Sequence, residues 1–341
     1  MRNFTLAAHR ISLPLLLGLC ALGGRPAHAD PVYTFTTVDD PNAQFYPATF
    51  ANALNNSGTI VGSYSTSEFT STGFVDVGGA FSDVTDTDPT TRNTFANGIN
   101  DSGTIVGSYA SFFGANGFVD HGGVFTKIAV PGAFDTYATG INNPGQIVGY
   151  ALNGNGTTYS GFLDTNGSFT PINDPLAGSG YGQGTYAWSI NTAGAVAGYY
   201  VNSSGTHGFL DRNGVFTTLD DPNANYGTYA LGINNLGEIV GYYVDNLGVN
   251  GLAYHGFLYN GSFTTIDDPD AIAAGGTEIY GINDLGQIVG NYTCAACGDN
   301  YQGFFATPGI QSTPEPSAWS LILIGALVAL VRRARPAAKL S

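Results

Sequence analysis

Short apolar segments separated by turns rich in Asn and Gly recur six times along the chain. The first recurring phrase is an Asn-containing turn, a glycine and an apolar strand that ends in glycine, as in Leu54–Gly62. A Gly-Phe phrase follows in every copy, and a Phe-x-x-aliphatic phrase leading towards Asp-Pro follows in the first five. Apolar segments with this turn chemistry predict antiparallel β-strands. The glycines that mark the first phrase are Gly58, Gly103, Gly145, Gly194, Gly237 and Gly286.

Each copy predicts four short strands. Asn260-Gly261 joins the last two strands of the fifth copy, and Asn-Gly favours a type I′ turn because both central residues need positive φ. Units of about 40–50 residues built from four antiparallel strands are typical of propeller blades. In the fifth copy the predicted strands are Tyr229–Asn234, Glu238–Tyr243, His255–Tyr259 and Phe263–Asp267.

The two ends of the repeat region predict a closed ring. The sixth copy stops at Pro308 without a fourth strand, while Tyr33–Pro41 closely matches Phe263–Pro269 of the fifth copy. A lone fourth strand at the start is useful only if it pairs with the last unit and removes an unpaired edge. We therefore expect an all-β fold over residues 30–309, a six-bladed β-propeller closed by an N-terminal strand. A stacked β-solenoid or two sandwiches is the alternative.

The repeats resemble a known class. The phrases Gly-Ile-Asn…Gly-Gln-Ile-Val-Gly and His-Gly-Phe-Leu are similar to the HAF-type extracellular repeats of bacterial exported proteins, over about Ala51–Pro308. The signature His occurs here only as His207 and His255, and Gly stands where that family usually has Ala. The resemblance implies a propeller-like surface protein without established catalytic residues.

Residues 1–29 have the features of a secretory signal. Arg2 belongs to a basic start, Ile11–Leu22 is an apolar run, and Ala27 and Ala29 form a small-x-small cleavage site. We expect cleavage before Asp30.

The C-terminal region predicts a linker, residues 310–317, and a short membrane helix with a basic tail, residues 318–341. The apolar stretch Ala318–Val331 would form a helix about 21 Å long, shorter than the roughly 30 Å hydrocarbon core. Residues at the membrane interfaces and snorkelling arginines would let this short helix span the bilayer. The residues that define this region are Pro314, Glu315, Pro316, Arg332, Arg333 and Arg335.

This order of motifs resembles the PEP-CTERM sorting signal of Gram-negative bacteria. In that family a membrane enzyme, exosortase, recognises the tail and is thought to remove it. The resemblance implies export, a transient stay in the inner membrane through the C-terminal helix, and delivery to the cell surface or extracellular matrix. The family's association with exopolysaccharide and biofilms suggests a glycan or matrix partner. A plain C-terminal membrane anchor is the alternative.

Charge excludes one class of partner. Between Asp30 and Pro316 the chain has three basic residues, Arg92, Lys127 and Arg212, against all 25 acidic ones, a net charge of −22. Such a body repels nucleic acid, so we expect no nucleic-acid partner. Charged residues make up 10% of the chain and hydrophobic ones 43%, a composition unlike that of a disordered polyelectrolyte.

Acidic residues recur in the links that follow the fourth strands. One interpretation is a face that binds Ca²⁺ or glycan hydroxyls, because hard cations take several oxygen ligands. The other is that Asp-Pro forms a turn and the Asp caps its own backbone, which explains a residue repeated in most copies. We favour the turn, and predict no cofactor and no metal-binding residues. The residues concerned are Asp39, Asp40, Asp174, Asp220, Asp221, Asp267 and Asp268.

Two unrepeated features add candidate chemistry. Trp188 replaces a small residue on the predicted innermost strand, where it would serve as a sugar platform or as core. Cys294 and Cys297 are the two thiols left after export, and we expect a local disulfide between them.

The sequence favours a non-enzymatic binding or structural module. It contains no Gly-x-Ser-x-Gly elbow, and its histidines lie at strand or hairpin positions, so we do not expect a nucleophilic triad. A glycoside hydrolase or lyase that uses carboxylates of the acidic face is the alternative, with Glu68 and Glu278 as unrepeated candidates. Glu238 occupies the place of Gln146 and Gln287, a structural position.

The two ends are tested together by mass spectrometry of the protein secreted by a Gram-negative host. We expect the mature chain to start at Asp30 and to lack the segment after Pro316. An intact tail would instead indicate ordinary membrane anchoring.

Overall fold

The described part of the chain consists of β-strands and their connections. A computed structural model describes residues 32–43, 49–67, 70–86, 93–111, 114–246, 251–271, 275–294 and 300–309. Within these ranges there is no helix long and apolar enough to cross a membrane. The predicted signal, linker and sorting tail, together with Glu68 and Cys297, lie outside the described residues.

The strands fall into six groups of four. The first eleven are β1 (Tyr33–Val38), β2 (Thr49–Leu54), β3 (Ile60–Ser67), β4 (Thr70–Val77), β5 (Ala80–Val84), β6 (Asn93–Ile99), β7 (Ile105–Ser111), β8 (Gly114–His121), β9 (Val124–Ile128), β10 (Ala133–Ile141) and β11 (Ile147–Asn153). The next seven are β12 (Tyr159–Thr165), β13 (Ser168–Ile172), β14 (Gly184–Ile190), β15 (Val196–Asn202), β16 (Gly205–Arg212), β17 (Val215–Leu219) and β18 (Gly227–Ile233). The last six are β19 (Ile239–Asn246), β20 (Leu252–Tyr259), β21 (Phe263–Thr265), β22 (Gly275–Ile282), β23 (Ile288–Cys294) and β24 (Asn300–Pro308).

Five groups are continuous in sequence and one is not. Units 1 to 5 are β2–β5, β6–β9, β10–β13, β14–β17 and β18–β21, each an antiparallel run. Unit 6 is β22–β23–β24 completed by β1, which pairs antiparallel with β24 from Tyr33 opposite Pro308 to Val38 opposite Gly303. The rings of Phe35 and Phe304 lie 5.2 Å apart across this pairing. The prediction that the N-terminal strand completes the last unit is therefore confirmed.

The units are arranged as in a propeller, but their hydrogen-bonded sheet is not continuous around the ring. Parallel bridges of one or two residue pairs join units 3 to 6 into a 16-stranded sheet, whereas units 1 and 2 are separate four-stranded sheets. Units 1 and 6 meet through side chains instead: the Ala51 N–H donates to Asn291 Oδ1 at 3.1 Å. This contact between the first and last units is one that a linear stack would not make.

Each unit has the same glycine–phenylalanine contact at its core. The third-strand phenylalanine is buried in all six units, and the glycine at the third position of the second strand lies against its ring. The second strand therefore continues beyond the glycine at which the repeated phrase predicted its end. At Gly290 an added Cβ would lie 2.8 Å from Phe304 Cζ and would also meet the carbonyl of Glu278. The recurring Val-Gly or Ala-Gly phrase thus leaves room for a close-packed core.

In units 1 to 4 a two-residue turn joins the third strand to the fourth, as predicted. Asn166 and Gly167 have φ of 55° and 84°, as a type I′ turn requires. Asn260 is not among the described residues with positive φ, and β21 has only three residues, so the expected type I′ turn at Asn260-Gly261 was wrong. Here the Asn260 N–H donates to the Ser262 carbonyl instead.

Six asparagines close the ring at one end of the axis. Each asparagine follows the first strand of its unit, and its Nδ2 donates to the backbone carbonyl of the matching asparagine in the next unit at 3.0–3.3 Å. Each Oδ1 also accepts from the N–H four residues on, within its own turn. Their turns surround a cavity of about 70 Å³. The members of this asparagine ring are Asn55, Asn100, Asn142, Asn191, Asn234 and Asn283.

The bond from Asn283 Nδ2 to the Asn55 carbonyl, 3.1 Å long, links unit 6 to unit 1. Replacing Asn283 by Ala removes this bond and takes the acceptor from the N–H groups of Leu285 and Gln287. The Asn55 carbonyl keeps its bond from the Gly58 N–H, but the two turn N–H groups lose their partner, so we expect the free energy of unfolding to fall by about 2–4 kcal/mol. Denaturant unfolding measures this. Leu285→Ala, in the same turn at 63% exposure, should change it by no more than about 0.5 kcal/mol. Equal losses in the two variants would contradict a closing role.

Candidate functional site

One cross-strand position differs between the units while the backbone around it does not. This position is a pair of residues that lie opposite each other on the first and second strands. The first-strand residue of the pair lies five positions before the ring asparagine. Units 1 and 2 carry Phe–Ser, units 3 to 5 carry Tyr–Tyr, and unit 6 carries Glu–Asn. The six pairs are Phe50–Ser63, Phe95–Ser108, Tyr137–Tyr150, Tyr186–Tyr199, Tyr229–Tyr242 and Glu278–Asn291.

The three tyrosine pairs form one continuous aromatic row. Within the pairs the ring centroids are 4.9, 4.7 and 4.6 Å apart and the rings are stacked. Between units, Tyr150 lies 5.0 Å from Tyr186 and Tyr199 lies 5.0 Å from Tyr229. Offset and tilted contacts at these distances are favourable for aromatic rings. The aromatic row is defined here as Tyr137, Tyr150, Tyr186, Tyr199, Tyr229 and Tyr242.

Trp188 belongs to the aromatic row rather than to the core of one unit. Its ring stacks on Tyr150 with centroids 6.1 Å apart and an interplanar angle of 19°, and it lies at the same distance from Tyr199. The side chain is partly exposed. The structure therefore places this sequence-predicted residue against tyrosines from units 3 and 4.

Burial raises the pKa of several phenols of the row, which keeps them protonated at neutral pH. Burial, with a smaller contribution from Asp135 and Tyr159, raises the pKa of Tyr137 to about 12. Burial, aided by neighbouring tyrosines, holds the pKa of Tyr199 well above its usual range, and burial followed by the charge of Glu278 does the same for Tyr242. Tyr137, Tyr199 and Tyr242 are nevertheless partly accessible to solvent. The row thus presents ring faces together with hydroxyl donors.

A polar pair lies beyond the last tyrosine pair. The Glu278 side chain is 8% exposed, and its Oε2 accepts a hydrogen bond of 2.5 Å from Tyr280 Oη. Burial raises the pKa of Glu278 above its ordinary value, and the Tyr280 bond offsets this only in part. Asn291 opposite it is fully buried, and its Nδ2 has no hydrogen-bond partner among the described residues. The ring of Tyr280 lies 6.3 Å from Tyr242, which connects the polar pair to the aromatic row.

The acidic links contain two kinds of aspartate with different environments. In four links the Asp that precedes the proline is buried, its Oδ1 accepts from the N–H two residues on, and its own N–H donates to a threonine Oγ1. Burial is the main cause that raises the pKa of each. This geometry is that of an Asp capping its own turn. The four residues are Asp40, Asp174, Asp221 and Asp268.

The first Asp of the link is exposed and pairs with histidine where the unit has one. Asp220 Oδ2 lies 2.9 Å from His207 Nδ1, and Asp267 Oδ2 lies 2.8 Å from His255 Nδ1. Asp39 instead accepts from the Thr49 hydroxyl at 3.3 Å. In the described ranges no three His, Cys, Asp or Glu side chains converge as they would around a metal ion. The predicted acidic face is therefore divided between turn caps and histidine pairs.

The structure brings together a serine, a histidine and an aspartate that the sequence did not connect. Ser204 Oγ lies 2.9 Å from His207 Nε2, while Asp220 lies on the other ring nitrogen. Ser204 Oγ also donates to Asn202 Oδ1 at 2.6 Å, within the same hairpin turn. Both histidines stack on a tyrosine of the preceding strand with centroids 5.0 Å apart. This repetition of the His–Asp pair on a tyrosine indicates a structural element of units 4 and 5.

The remaining predicted residues divide between described and undescribed parts of the chain. Cys294 is disulfide-bonded, and its pairing with Cys297 stays a prediction because Cys297 lies outside the described residues. Ala27, Ala29 and the sorting motif lie outside them as well. Sequence reasoning missed the aromatic row and Asn291. Alignment of the six copies would have revealed them as departures from the repeat.

Comparison with known proteins gives a fold-level likeness. No protein-family model matches the chain, and no curated protein matches it. A triple mutant of AofleA from Arthrobotrys oligospora is 14% identical over 77% of this chain and 84% of its own, with a TM-score of 0.48. The structure of YCF48 bound to D1 peptide is 11% identical over 80% of this chain and 96% of its own, with a TM-score of 0.38. Both likenesses concern the fold alone.

The buried turn aspartates predict a pH dependence of stability. Because burial raises the pKa of Asp268 in the folded state, its ionisation lowers stability as pH rises from the unfolded pKa to the folded one, and the loss persists above both. Asp268→Asn keeps an acceptor for the Asp270 N–H and removes the charge. We expect its Tm to exceed that of the unmodified protein at pH 7 and to equal it at pH 3. Asp267→Asn, which alters the exposed neighbour, should give no gain. A lower Tm for Asp268→Asn at pH 7 would contradict this account.

Proposed function

We propose that this chain is an exported, closed six-bladed β-propeller that binds glycan or matrix components without transforming them. The observation that carries the proposal is the aromatic row, which runs through units 3 to 5 and ends at a buried carboxylate in unit 6. Small-molecule and glycan sites combine aromatic surface with a few well-placed polar groups. Tyrosine supplies both, since its ring is apolar and its hydroxyl can donate.

Comparison of the units indicates that the fold does not require this row. Units 1 and 2 have Phe–Ser at the same cross-strand position, with the same register and the same bulge. A residue needed by the architecture recurs in all six units, as the ring asparagine does. The tyrosine pairs and Trp188 occur in only part of the ring. Their partial exposure makes them available to a ligand.

The expected location at the cell surface or in the extracellular matrix is consistent with a glycan or matrix partner. Residues 1–29 and the segment 310–341 carry the export and sorting motifs, for which exosortase would be the processing partner. A body with a net charge of −22 is suited to an extracellular setting, because it remains soluble and attracts cationic partners.

The alternative of a glycoside hydrolase or lyase is favoured by one observation and weakened by another. Glu278 is a buried carboxyl whose pKa is raised, as that of a general acid often is. Glycoside hydrolysis normally needs a second carboxyl group about 5–9.5 Å away. Burial alone raises the pKa of Glu278, the Tyr280 bond lowers it, and no described carboxylate contributes to the shift. Binding without turnover is therefore the preferred function.

Trp188→Leu tests the proposal. Unit 5 carries Leu231 at the same position, so the variant should fold with an unchanged Tm. Loss of the aromatic surface should weaken binding of a responsive exopolysaccharide about tenfold, equivalent to about 1.4 kcal/mol. A glycan array identifies the polysaccharide and calorimetry measures the affinity.

Tyr181→Ala is the matched control, because Tyr181 is an 88% exposed tyrosine that does not belong to the row. It should bind as the unmodified protein does. Identical binding by the Trp188→Leu variant would overturn the assignment of the row, and release of new reducing ends from the polysaccharide would establish the enzymatic alternative.

A further inference from the structure

The Glu278 carboxylate lacks a basic partner in the part of the chain that the structure describes. Its one hydrogen bond there comes from Tyr280, and the two ion pairs in that part involve His207 and His255. A buried carboxylate without a compensating cation is costly, and proteins normally pair such a group. Glu278 is therefore buried at a free-energy cost that no described cation offsets.

The other units show that this cost is not imposed by the architecture. Five of the six units place a neutral aromatic residue at the position of Glu278, and each forms the same cross-strand pairing. The residue opposite changes too: Asn291 stands where units 3 to 5 have tyrosine. Unit 6 has thus exchanged an aromatic pair for a polar one, and left an amide nitrogen of that pair without a described partner.

Phenol rings from two units lie around the carboxylate. The charge of Glu278 adds to burial in raising the pKa of Tyr242 and Tyr254 from unit 5 and of Tyr280 and Tyr301 from unit 6. Tyr254 and Tyr280 both lie within 6.3 Å of the Tyr242 ring, centroid to centroid. All four tyrosines are partly accessible to solvent. The faces of aromatic rings attract cations, most strongly where water is excluded.

An aromatic enclosure with one carboxylate is complementary to an organic cation. The rings attract the charge, the carboxylate neutralises it, and the net charge of −22 favours its approach. A carboxylate or sulfate on the ligand would instead be repelled by Glu278. We infer that Glu278, with the tyrosines around it, forms a subsite for an ammonium group, so that the preferred ligand is a glycan containing free amino sugars. This inference rests on the proposed glycan-binding function.

The test compares two oligosaccharides that differ only at the amino group. Titration calorimetry on the mature chain uses a hexamer of glucosamine and the same hexamer of N-acetylglucosamine. We expect the glucosamine hexamer to bind at least about tenfold more tightly, because only it carries the charge. Glu278→Gln should bring the ratio of the two affinities close to one, because it removes the charge that the ammonium group would neutralise.

Glu238→Gln is the matched control. Glu238 Oε2 accepts from Asn234 Nδ2 at 2.7 Å, and Gln146 and Gln287 accept the equivalent bond in units 3 and 6. The control therefore removes one negative charge without disturbing the fold, and it should retain the full preference. If it lost the preference as Glu278→Gln does, the attraction would come from the overall charge, and the subsite would be refuted. If Glu278→Gln did not fold, Tyr280→Phe, which removes the described hydrogen bond to the carboxylate, should still alter the preference.

Other outcomes distinguish a failure of the ammonium subsite from a failure of the proposed glycan-binding function. Equal binding of the two hexamers, weakened alike by Trp188→Leu, would refute the ammonium subsite and leave the glycan-binding function standing. Binding of spermidine that depends on Glu278, with neither hexamer bound, would support the subsite and refute the glycan function. An absence of binding by all three probes would overturn both.

Discussion

A circle of side-chain hydrogen bonds joins all six units, including units 1 and 2, whose described strands share no backbone bridge with their neighbours. Each ring asparagine holds its own turn with its carbonyl oxygen and the next unit with its amide nitrogen, so one residue type performs the local and the long-range task. Because the amide geometry is the same in all six units, every unit is held to its neighbour in the same way. The inner strands are thereby fixed around one axis, and differences between units are free to occur elsewhere.

Those differences are concentrated at one cross-strand position. The buried phenylalanine and the glycine beneath it are the same in every unit, since a larger residue at that glycine would meet the aromatic ring. At the position of the tyrosine pairs no such constraint applies, and the chain uses Phe–Ser, Tyr–Tyr or Glu–Asn with one backbone. Residues that vary against a fixed scaffold are where a repeat protein can acquire specificity.

Much of the architecture could be predicted from the sequence because each repeated residue meets a local structural requirement, such as a turn conformation or a close packing contact. The match between Tyr33–Pro41 and Phe263–Pro269 was enough to predict the pairing of β1 with β24. The site could not be predicted in the same way. Both aspartates of a link look alike in sequence, and only packing separates the buried turn cap Asp221 from the exposed histidine partner Asp220.

The pairing of β1 with β24 sets an order of assembly. Val38 lies opposite Gly303 and Tyr33 opposite Pro308, so the earliest described strand to leave the ribosome can find its partner only after almost all the other described strands have emerged. Contacts between residues so distant in sequence form slowly, because a long loop must close first. Units 1 to 5 can each be completed during emergence, whereas unit 6 remains one strand short until the end. The last step in completing the described sheets is therefore the pairing of β1, the first strand synthesised, with β24, the last one.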